Sequence, residues 1–243
     1  MNKKNNLSQS AKVSLDKPIK MPRPYISWSQ LSLFERNPIK YASIYLYGDK
    51  RTNPRMELGK AVAEMLEKDE ENTDKNLEFY RVFLPQYPHK EFDVKAMLGD
   101  ILLFGKLDGF DDRCSACGQN WLDMVEQNGT CKICKGKSST IFEIKTGAKW
   151  NQKMADETGQ LSFYALLIYL AYGIKPENIK IKLYWMPTII DEIEGLKLTG
   201  DLKVFETKRT MIDLVDMMGR IRRAWNGIAS LCRSEGAAIG FND

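Results

Sequence analysis

The chain has 243 residues, of which 43% are apolar and 28% are charged, and its formal net charge is +4. This composition is typical of a globular domain and excludes a chain too polar to form a core. No stretch approaches 18 consecutive apolar residues, and the first twenty residues are too polar for a secretory signal. We therefore expect no membrane span, no export and a cytoplasmic location.

The N-terminal segment, residues 1–24, is basic. It contains a single acidic residue, Asp16, against the basic residues Lys3, Lys4, Lys12, Lys17, Lys20 and Arg23. The segment predicts a disordered tail that is either simply solvated or in contact with nucleic-acid phosphates. The folded domain is expected to cover residues 25–243.

Three helices are predicted next. Ser27 and Gln30 have the spacing of a capping box, and their helix is interrupted at Pro38. A second helical pattern ends at Gly48, and a third covers Met56–Lys68 with an apolar face.

Strands dominate the region that follows, and two further helices come after it. Alternating apolar residues begin after Glu91 and predict antiparallel strands. The later predicted elements are the strands Asp100–Gly105 and Ile141–Lys145, the helix Leu161–Tyr172, the strand Ile179–Met186 and an amphipathic helix over Lys208–Leu231.

The only histidine, His89, lies in a stretch that contains Pro88, and we expect it to be a surface loop residue. Catalytic triads and dyads that use a histidine base are therefore not expected. Any chemistry must depend on carboxylates, lysine and metal.

Glu143 and Lys145 lie two residues apart on a predicted strand, so their side chains project from the same face. An exposed ion pair is the simpler interpretation. Asp108, however, follows an apolar strand, and antiparallel pairing of the two strands would bring it towards Glu143. Two carboxylates suit Mg²⁺ or Mn²⁺, and such a site can hydrolyse phosphodiesters without histidine. Lysine would position the nucleophile and stabilise developing charge.

Gln160 and Tyr164 lie four residues apart and share one face of the next helix. Taken alone, the pair is typical of packing. Because it follows the strand that carries Glu143 and Lys145, it could instead reach a nucleic-acid backbone.

Four of the five cysteines form two Cys-x-x-Cys pairs, Cys114 with Cys117 and Cys131 with Cys134, separated by thirteen residues. The spacing predicts a zinc ribbon over residues 112–139, and four thiolates leave no open position, so the zinc would be structural. Each pair is followed by a nearby glycine, Gly118 or Gly136. A redox pair is the alternative. The ribbon could also contact DNA or a partner protein through Trp121, Lys132, Lys135 and Lys137.

Five short motifs occur in an order that resembles the RecB-like branch of the PD-(D/E)XK nucleases, which includes recombination exonucleases and CRISPR-associated adaptation nucleases. The resemblance covers about Tyr25 to Met186. The motifs are Ser27–Pro38, Gly59–Ala63, Gly105–Asp108, Glu143–Gly147 and Gln160–Tyr164.

The resemblance implies an α/β fold, in which a central mixed β-sheet flanked by helices forms a restriction-endonuclease-like αβββαβ core with the four-cysteine zinc ribbon inserted. By this similarity Asp108, Glu143 and the Ile144 carbonyl bind Mg²⁺ or Mn²⁺. Lys145 serves catalysis, while Gln160 and Tyr164 position the substrate. The implied function is a metal-dependent DNA exonuclease or end-processing nuclease of recombination, repair or phage DNA metabolism, in a bacterial or phage-infected cell, with DNA and a protein of those processes as partners.

The sequence departs from the family pattern at two places. The histidine of the Gly-x-x-x-His helix is replaced by Ala63, and the adjacent Glu64 is the candidate substitute ligand. This replacement motivates a second hypothesis, a weak or inactive nuclease fold that only binds DNA. The cysteine expected before the first-helix proline is Asn37, and Cys232 stands alone near the C-terminus, so no iron-sulfur cluster is expected. A role on RNA is a third hypothesis, based on the ribbon and the tail.

Overall fold

The computed structural model describes residues 21–49, 52–68, 75–114, 116–118, 131–135, 139–193 and 195–239. Its helices are α1 (Trp28–Arg36), α2 (Pro38–Tyr45), α3 (Pro54–Lys68), α4 (Lys75–Phe83), α5 (Gln152–Glu157), α6 (Gly159–Tyr172) and α7 (Met211–Ile239). Its strands are β1 (His89–Leu98), β2 (Ile101–Asp111), β3 (Ser139–Gly147), β4 (Ile179–Asp191), β5 (Gly195–Leu198) and β6 (Lys203–Thr207).

The strands form one six-stranded mixed sheet in the order β1-β2-β3-β4-β5, with β6 also paired to β4. β1 to β2 and β2 to β3 are antiparallel, whereas β3 and β4 run parallel. The crossover from β3 to β4 passes through α5 and α6. This architecture confirms the predicted α/β fold with a central mixed sheet flanked by helices.

Each face of the sheet has its own core. Helix α6 is buried at every residue from Leu161 to Ile168 except Ser162, so its apolar surface is enclosed by the sheet, α1 and α7. It ends at Gly173, whose positive φ of 72° provides the left-handed cap. The opposite face of the sheet packs against α3 and α4 through Val62, Tyr80 and Phe142. The candidate site therefore lies between two well-packed layers.

Side chains alternate between these two cores along β3. Ile141 belongs to the core on the α6 side and Phe142 to the core on the α3 side. Because successive strand residues face opposite sides, Glu143 and Lys145 point towards α6. The alternation thus places the two charged side chains beside the most enclosed helix of the fold.

The sheet opens beside β3. Pairing between β2 and β3 extends over only three positions, from Asp111 with Thr140 to Gly109 with Phe142. The pairing of β3 with β4 continues over nine positions as far as Gly147. β2 and β3 therefore separate immediately after Phe142, next to Asp108.

Several predicted elements differ from the structure. α3 begins at Pro54, β4 continues to Asp191, and α7 covers Met211–Ile239 rather than Lys208–Leu231. Helices α4 and α5 and strands β5 and β6 were not predicted, because each is short and depends on pairing or packing with other segments of the chain.

The expectation that His89 is a loop residue is wrong. His89 begins β1, and its ring packs against Phe92 in a tilted arrangement and stacks on Phe110, with centroid distances of 5.1 and 6.3 Å. Its Nε2 atom lies 3.2 Å from Oδ2 of Asp112. Aromatic partners contributed by two paired strands hold the ring at the sheet, and a local sequence pattern does not show them.

Residues 1–20 of the predicted tail lie outside the described residues. Met21 packs against the core, and Arg23 donates a hydrogen bond of 2.6 Å to the Tyr25 hydroxyl. Packing thus begins a few residues before the predicted domain boundary at Tyr25. Among the described residues, no helix combines the length and the apolar character needed to cross a bilayer.

Candidate active site

Asp108 lies at the point where β2 and β3 separate. Its Oδ2 atom accepts a hydrogen bond of 2.6 Å from the backbone N–H of Ile144. The carboxylate thus takes the place of the backbone acceptor that β2 would supply if the ladder continued. This bond holds Asp108 next to the strand that carries Glu143 and Lys145.

Glu143 and Lys145 form an ion pair through Oε1 and Nζ. The Glu143 side chain is only 1% exposed, and its second oxygen, Oε2, is buried without a hydrogen-bond partner among the described residues. A buried carboxylate oxygen that lacks a partner is costly, and native structures contain few of them. This oxygen therefore marks a place where a ligand can bind.

Lys145 is positioned by a chain of hydrogen bonds on α6. Its Nζ donates to Oε1 of Gln160 at 2.8 Å, and Nε2 of Gln160 donates to the Tyr164 hydroxyl at 2.9 Å. The Tyr164 hydroxyl donates in turn to the Lys106 carbonyl at 2.8 Å. The structure therefore joins Glu143, Lys145, Gln160 and Tyr164 in one network.

Gly105 allows α6 to approach β2 closely enough for this network. A Cβ atom at residue 105 would lie 2.4 Å from Cδ1 of Leu167 and 3.3 Å from Cε1 of Tyr164. No larger residue fits without moving α6 or these side chains. The glycine of the Gly105–Asp108 motif thus has a packing role at the site.

Burial and like charge dominate the electrostatics. Burial raises the pKa of Asp108 well above its usual range, and the negative charge of Glu143 raises it further. Burial also raises the pKa of Glu143, an effect that Lys145 partly offsets. For Lys145, burial lowers the pKa, but the carboxylates of Glu143 and Asp108 outweigh that effect and raise it. Two desolvated carboxylates against one ammonium favour the binding of a cation.

Tyr164 is a neutral hydrogen-bond donor. Burial raises its pKa far above the usual value, and the charges of Glu143 and Asp108 add to this increase. The phenol therefore keeps its proton and continues to orient Gln160.

A cavity of about 70 Å³ lies between α3 and the sheet, next to Asp108. Its lining residues are Gly59, Val62, Ala63, Glu91, Asp108, Ile144 and Thr146. Ala63 thus faces the site, as the motif predicted, but it has no ligand atom.

The structure does not bring Glu64 to this cavity. The Glu64 side chain is 50% exposed and pairs with Lys60 at 3.3 Å. One residue along a helix rotates the side chain by about 100°, so Glu64 cannot share the direction of Ala63. Sequence reasoning instead missed Glu91. The alternation along β1 could have indicated it, because Glu91 lies on the face of the strand opposite to the apolar side chains.

The four cysteines of the insert converge as predicted. Sγ of Cys114 lies 3.5 Å from Sγ of Cys134, and Sγ of Cys117 lies 3.7 Å from Sγ of Cys131. Four thiolates about 2.3 Å from a tetrahedral zinc ion would be separated by roughly 3.8 Å. The cluster could therefore hold a structural metal such as zinc.

Both cysteine turns have the same backbone geometry. The N–H of Gly118 donates to the Cys114 carbonyl at 2.8 Å, and the N–H of Lys135 donates to the Cys131 carbonyl at 2.9 Å. Gly118 and Lys135 both have positive φ, 73° and 58°. The left-handed residue of the second turn is therefore Lys135, while Gly136 lies outside the described residues. Backbone N–H groups of Cys134 and Ile133 lower the pKa of Cys131 to about 7, which favours the thiolate that metals bind.

Within the described segments, these cysteines are the one group of at least three metal-binding side chains whose ligand atoms all lie within 4.8 Å of one another. The carboxylates near Asp108 are spaced more widely. Lys145 attracts Glu143, and the N–H of Ile144 holds Asp108.

The fold is similar to that of a protein from Eubacterium rectale, named a "putative exonuclease", whose crystal structure is known. The two chains are 14% identical with a TM-score of 0.50, and the match covers 87% of this chain and 82% of the other. At this identity the likeness shows a shared fold only. No protein-family model matches the sequence, and no curated protein matches it.

Proposed function

We propose that the protein is a nuclease that depends on Mg²⁺ or Mn²⁺ and hydrolyses phosphodiester bonds of DNA, as an exonuclease or end-processing enzyme of recombination, repair or phage DNA metabolism. The observation that carries the proposal is the buried Glu143 carboxylate, which is paired with Lys145 on one oxygen and has no partner among the described residues on the other. A buried oxygen of this kind, close to a second carboxylate, suits a hard divalent cation.

Asp108 and Glu143 would hold the cation, with the Ile144 carbonyl as a further ligand. These oxygen donors are of the type that Mg²⁺ and Mn²⁺ prefer. When bound, such an ion makes a water molecule more acidic and neutralises charge on the phosphate.

Lys145 would act directly on the reacting groups. Glu143 keeps its ammonium charged, and Gln160 fixes its direction through the 2.8 Å hydrogen bond. An ammonium held in this way can donate to a phosphate oxygen or orient the attacking water, and it needs no reorganisation during the reaction. Tyr164 and Gln160 then act as positioning residues, because they reach the chemistry through Lys145.

A groove of about 270 Å³ adjoins this network and gives a route for nucleic acid. It is lined by Gln160 and Tyr164 together with the aromatic residues Tyr25, Trp28 and Phe104 and the basic residues Arg23 and Lys106. Aromatic rings can stack with bases, and basic side chains attract phosphates. The groove favours a nucleic-acid strand over a small acidic metabolite. The fold shared with the protein from Eubacterium rectale supports the same conclusion.

The test is cleavage of end-labelled single-stranded and duplex DNA with Mg²⁺, Mn²⁺ or a chelator. We expect cleavage with either ion and none with the chelator. Lys145→Ala and Asp108→Asn should each lower the rate at least about 100-fold. The matched controls are Lys153→Ala, on an exposed lysine of α5, and Asp93→Asn, on an exposed aspartate of β1, and both should cleave normally. Full activity of both site variants would contradict the assignment.

A second candidate function is DNA binding without turnover. Ala63 favours it, because the α3 side of the cavity contributes no ligand atom at this residue. The two functions differ in their response to Mn²⁺. DNA binding without cleavage of single-stranded, duplex, flap or RNA substrates would support the binding module, whereas cleavage of RNA alone would change the substrate class.

A further inference from the structure

Glu91 occupies an unusual position on β1. Its neighbours pair with β2 as Lys90 with Gly109 and Phe92 with Leu107, so Glu91 lies opposite Asp108. Its φ is +48°, in the left-handed region that non-glycine residues rarely adopt. Residues held in such conformations are concentrated at functional sites.

Glu91 and Asp108 line the same cavity beneath α3. On the α3 side, the cavity is bordered by the small residues Gly59 and Ala63. An acidic side chain from β1 thus reaches the space where α3 supplies no ligand at residue 63.

Glu143 on β3 supplies a second observation, although it does not line this cavity. Its Oε2 atom is buried and has no hydrogen-bond partner in the described part of the chain. Carboxylates from β1, β2 and β3 therefore lie around the point where β2 and β3 separate.

Glu91 already has a cationic partner, Lys106. The Glu91 carboxylate pairs with the Lys106 ammonium at 3.0 Å, and the side chains are 19% and 49% exposed, so water reaches the pair mainly from the lysine side. A partly exposed ion pair of this kind contributes modestly to stability, so a divalent cation can compete with the ammonium.

We infer that Glu91 is a third carboxylate ligand of the divalent cation, contributed by β1 in place of a ligand from α3. This inference rests on the proposed function, because it concerns the same cation. It assigns a role to a residue outside the recognised motifs and supplies a carboxylate on the cavity wall opposite Ala63, which has no ligand atom.

The test is direct binding of Mn²⁺ to the full chain, measured as loss of the free-ion signal in electron paramagnetic resonance. We expect Glu91→Gln to weaken binding at least about tenfold, as the loss of a charged ligand should. The matched control is Glu64→Gln, which changes an exposed glutamate of α3 and should bind as the wild type does. Circular dichroism of each variant checks folding.

Lys106→Ala separates a ligand from a mere ion-pair partner. If Glu91 binds the cation, removal of the competing ammonium leaves Mn²⁺ binding unchanged or stronger. If Glu91 only pairs with Lys106, Lys106→Ala and Glu91→Gln cause the same loss, which would overturn the inference.

Different experimental results would contradict the role of Glu91 and the nuclease proposal. Wild-type Mn²⁺ affinity in Glu91→Gln, together with weak binding in Asp108→Asn, overturns the role of Glu91 and leaves the nuclease proposal intact. Absence of both Mn²⁺ binding and cleavage in the wild type overturns the two proposals together.

Discussion

The hairpin of β2 and β3 connects two regions that are built in opposite ways. At the ribbon end, four cysteines come from two short turns, each of which is closed by its own backbone hydrogen bond. At the other end, Glu91, Asp108, Glu143, Lys145 and Gln160 come from β1, β2, β3 and α6. A cysteine cluster can therefore be a local structure, whereas the carboxylate site forms only when the whole sheet has formed.

The largest expected effect is the loss of the ribbon metal. The double variant Cys114→Ser with Cys131→Ser should lose zinc, with affinity weakened more than about 100-fold, because thiolate ligands supply most of the binding. Elemental analysis should return one zinc per wild-type chain and none for the variant.

Cleavage by the same variant tests whether the two regions are independent. The positions from Gly109 to Asp111 pair with β3 between the ribbon and the site, so Mn²⁺-dependent cleavage should persist in folded variant protein. Loss of cleavage in variant protein with a native circular dichroism spectrum would show that the regions are coupled.

Gly105→Ala should have the next largest effect, on the carboxylate region alone. The added methyl group would lie 2.4 Å from Leu167, so α6 must shift, and we expect a loss of about 1–3 kcal/mol in unfolding free energy. The shift should also lengthen the bond from Tyr164 to Lys106 and lower cleavage. Denaturant unfolding measures the loss in stability.

The control for Gly105→Ala is Gly219→Ala on α7, where a Cβ atom would meet only the end of the Arg223 side chain at 3.3 Å. This change should be neutral or slightly stabilising. Equal destabilisation by both variants would contradict the packing role of Gly105.

Asp108→Asn should stabilise the metal-free protein at neutral pH. Burial raises the pKa of Asp108, so the folded state binds this proton more tightly than the unfolded state does. The stabilisation from protonated Asp108 is fully present below the ordinary pKa of 3.8. It is lost as the pH rises through the higher pKa that Asp108 has in the folded state. Removing the charge should therefore raise the free energy of unfolding at neutral pH.

Thermal unfolding as a function of pH and Mn²⁺ concentration tests whether the Asp108 charge lowers stability and also binds the cation. Added Mn²⁺ should stabilise the wild type but not Asp108→Asn. Exposed Asp93 provides the comparison, since Asp93→Asn should leave both responses unchanged. Stabilisation by Mn²⁺ that survives Asp108→Asn would place the ion elsewhere.

The smallest expected effect is at the second cysteine turn. Lys135 has a φ of 58°, which glycine adopts without strain, so Lys135→Gly should stabilise the ribbon by up to about 1 kcal/mol. Gly118→Ala, at a φ of 73° in the first turn, should destabilise it by a similar amount. Competition with a zinc chelator reports both, and effects of the same sign would show that the turns are not equivalent.

The ribbon was predictable from spacing, because two Cys-x-x-Cys turns need only local chain to form their ligand positions. The exception is Lys135. The nearby Gly136 suggested a glycine for the left-handed position of the second turn, but Lys135 has that conformation. For the carboxylate region, five ordered motifs predicted that Asp108, Glu143, Lys145, Gln160 and Tyr164 would gather, and the structure brings them together. Their catalytic roles stay predictions.

The resemblance of the five ordered motifs predicted the class of fold. Local patterns predicted the cysteine cluster and the shared face of Glu143 and Lys145, because strand alternation and short spacings are local properties of the chain. Only the tertiary structure decided that β2 and β3 separate beside Asp108, that Glu64 faces solvent and that Glu91 faces the cavity. These features depend on strand register and on the rotation of α3 against the sheet. Register and rotation are set by packing between distant segments, and no local pattern contains that information.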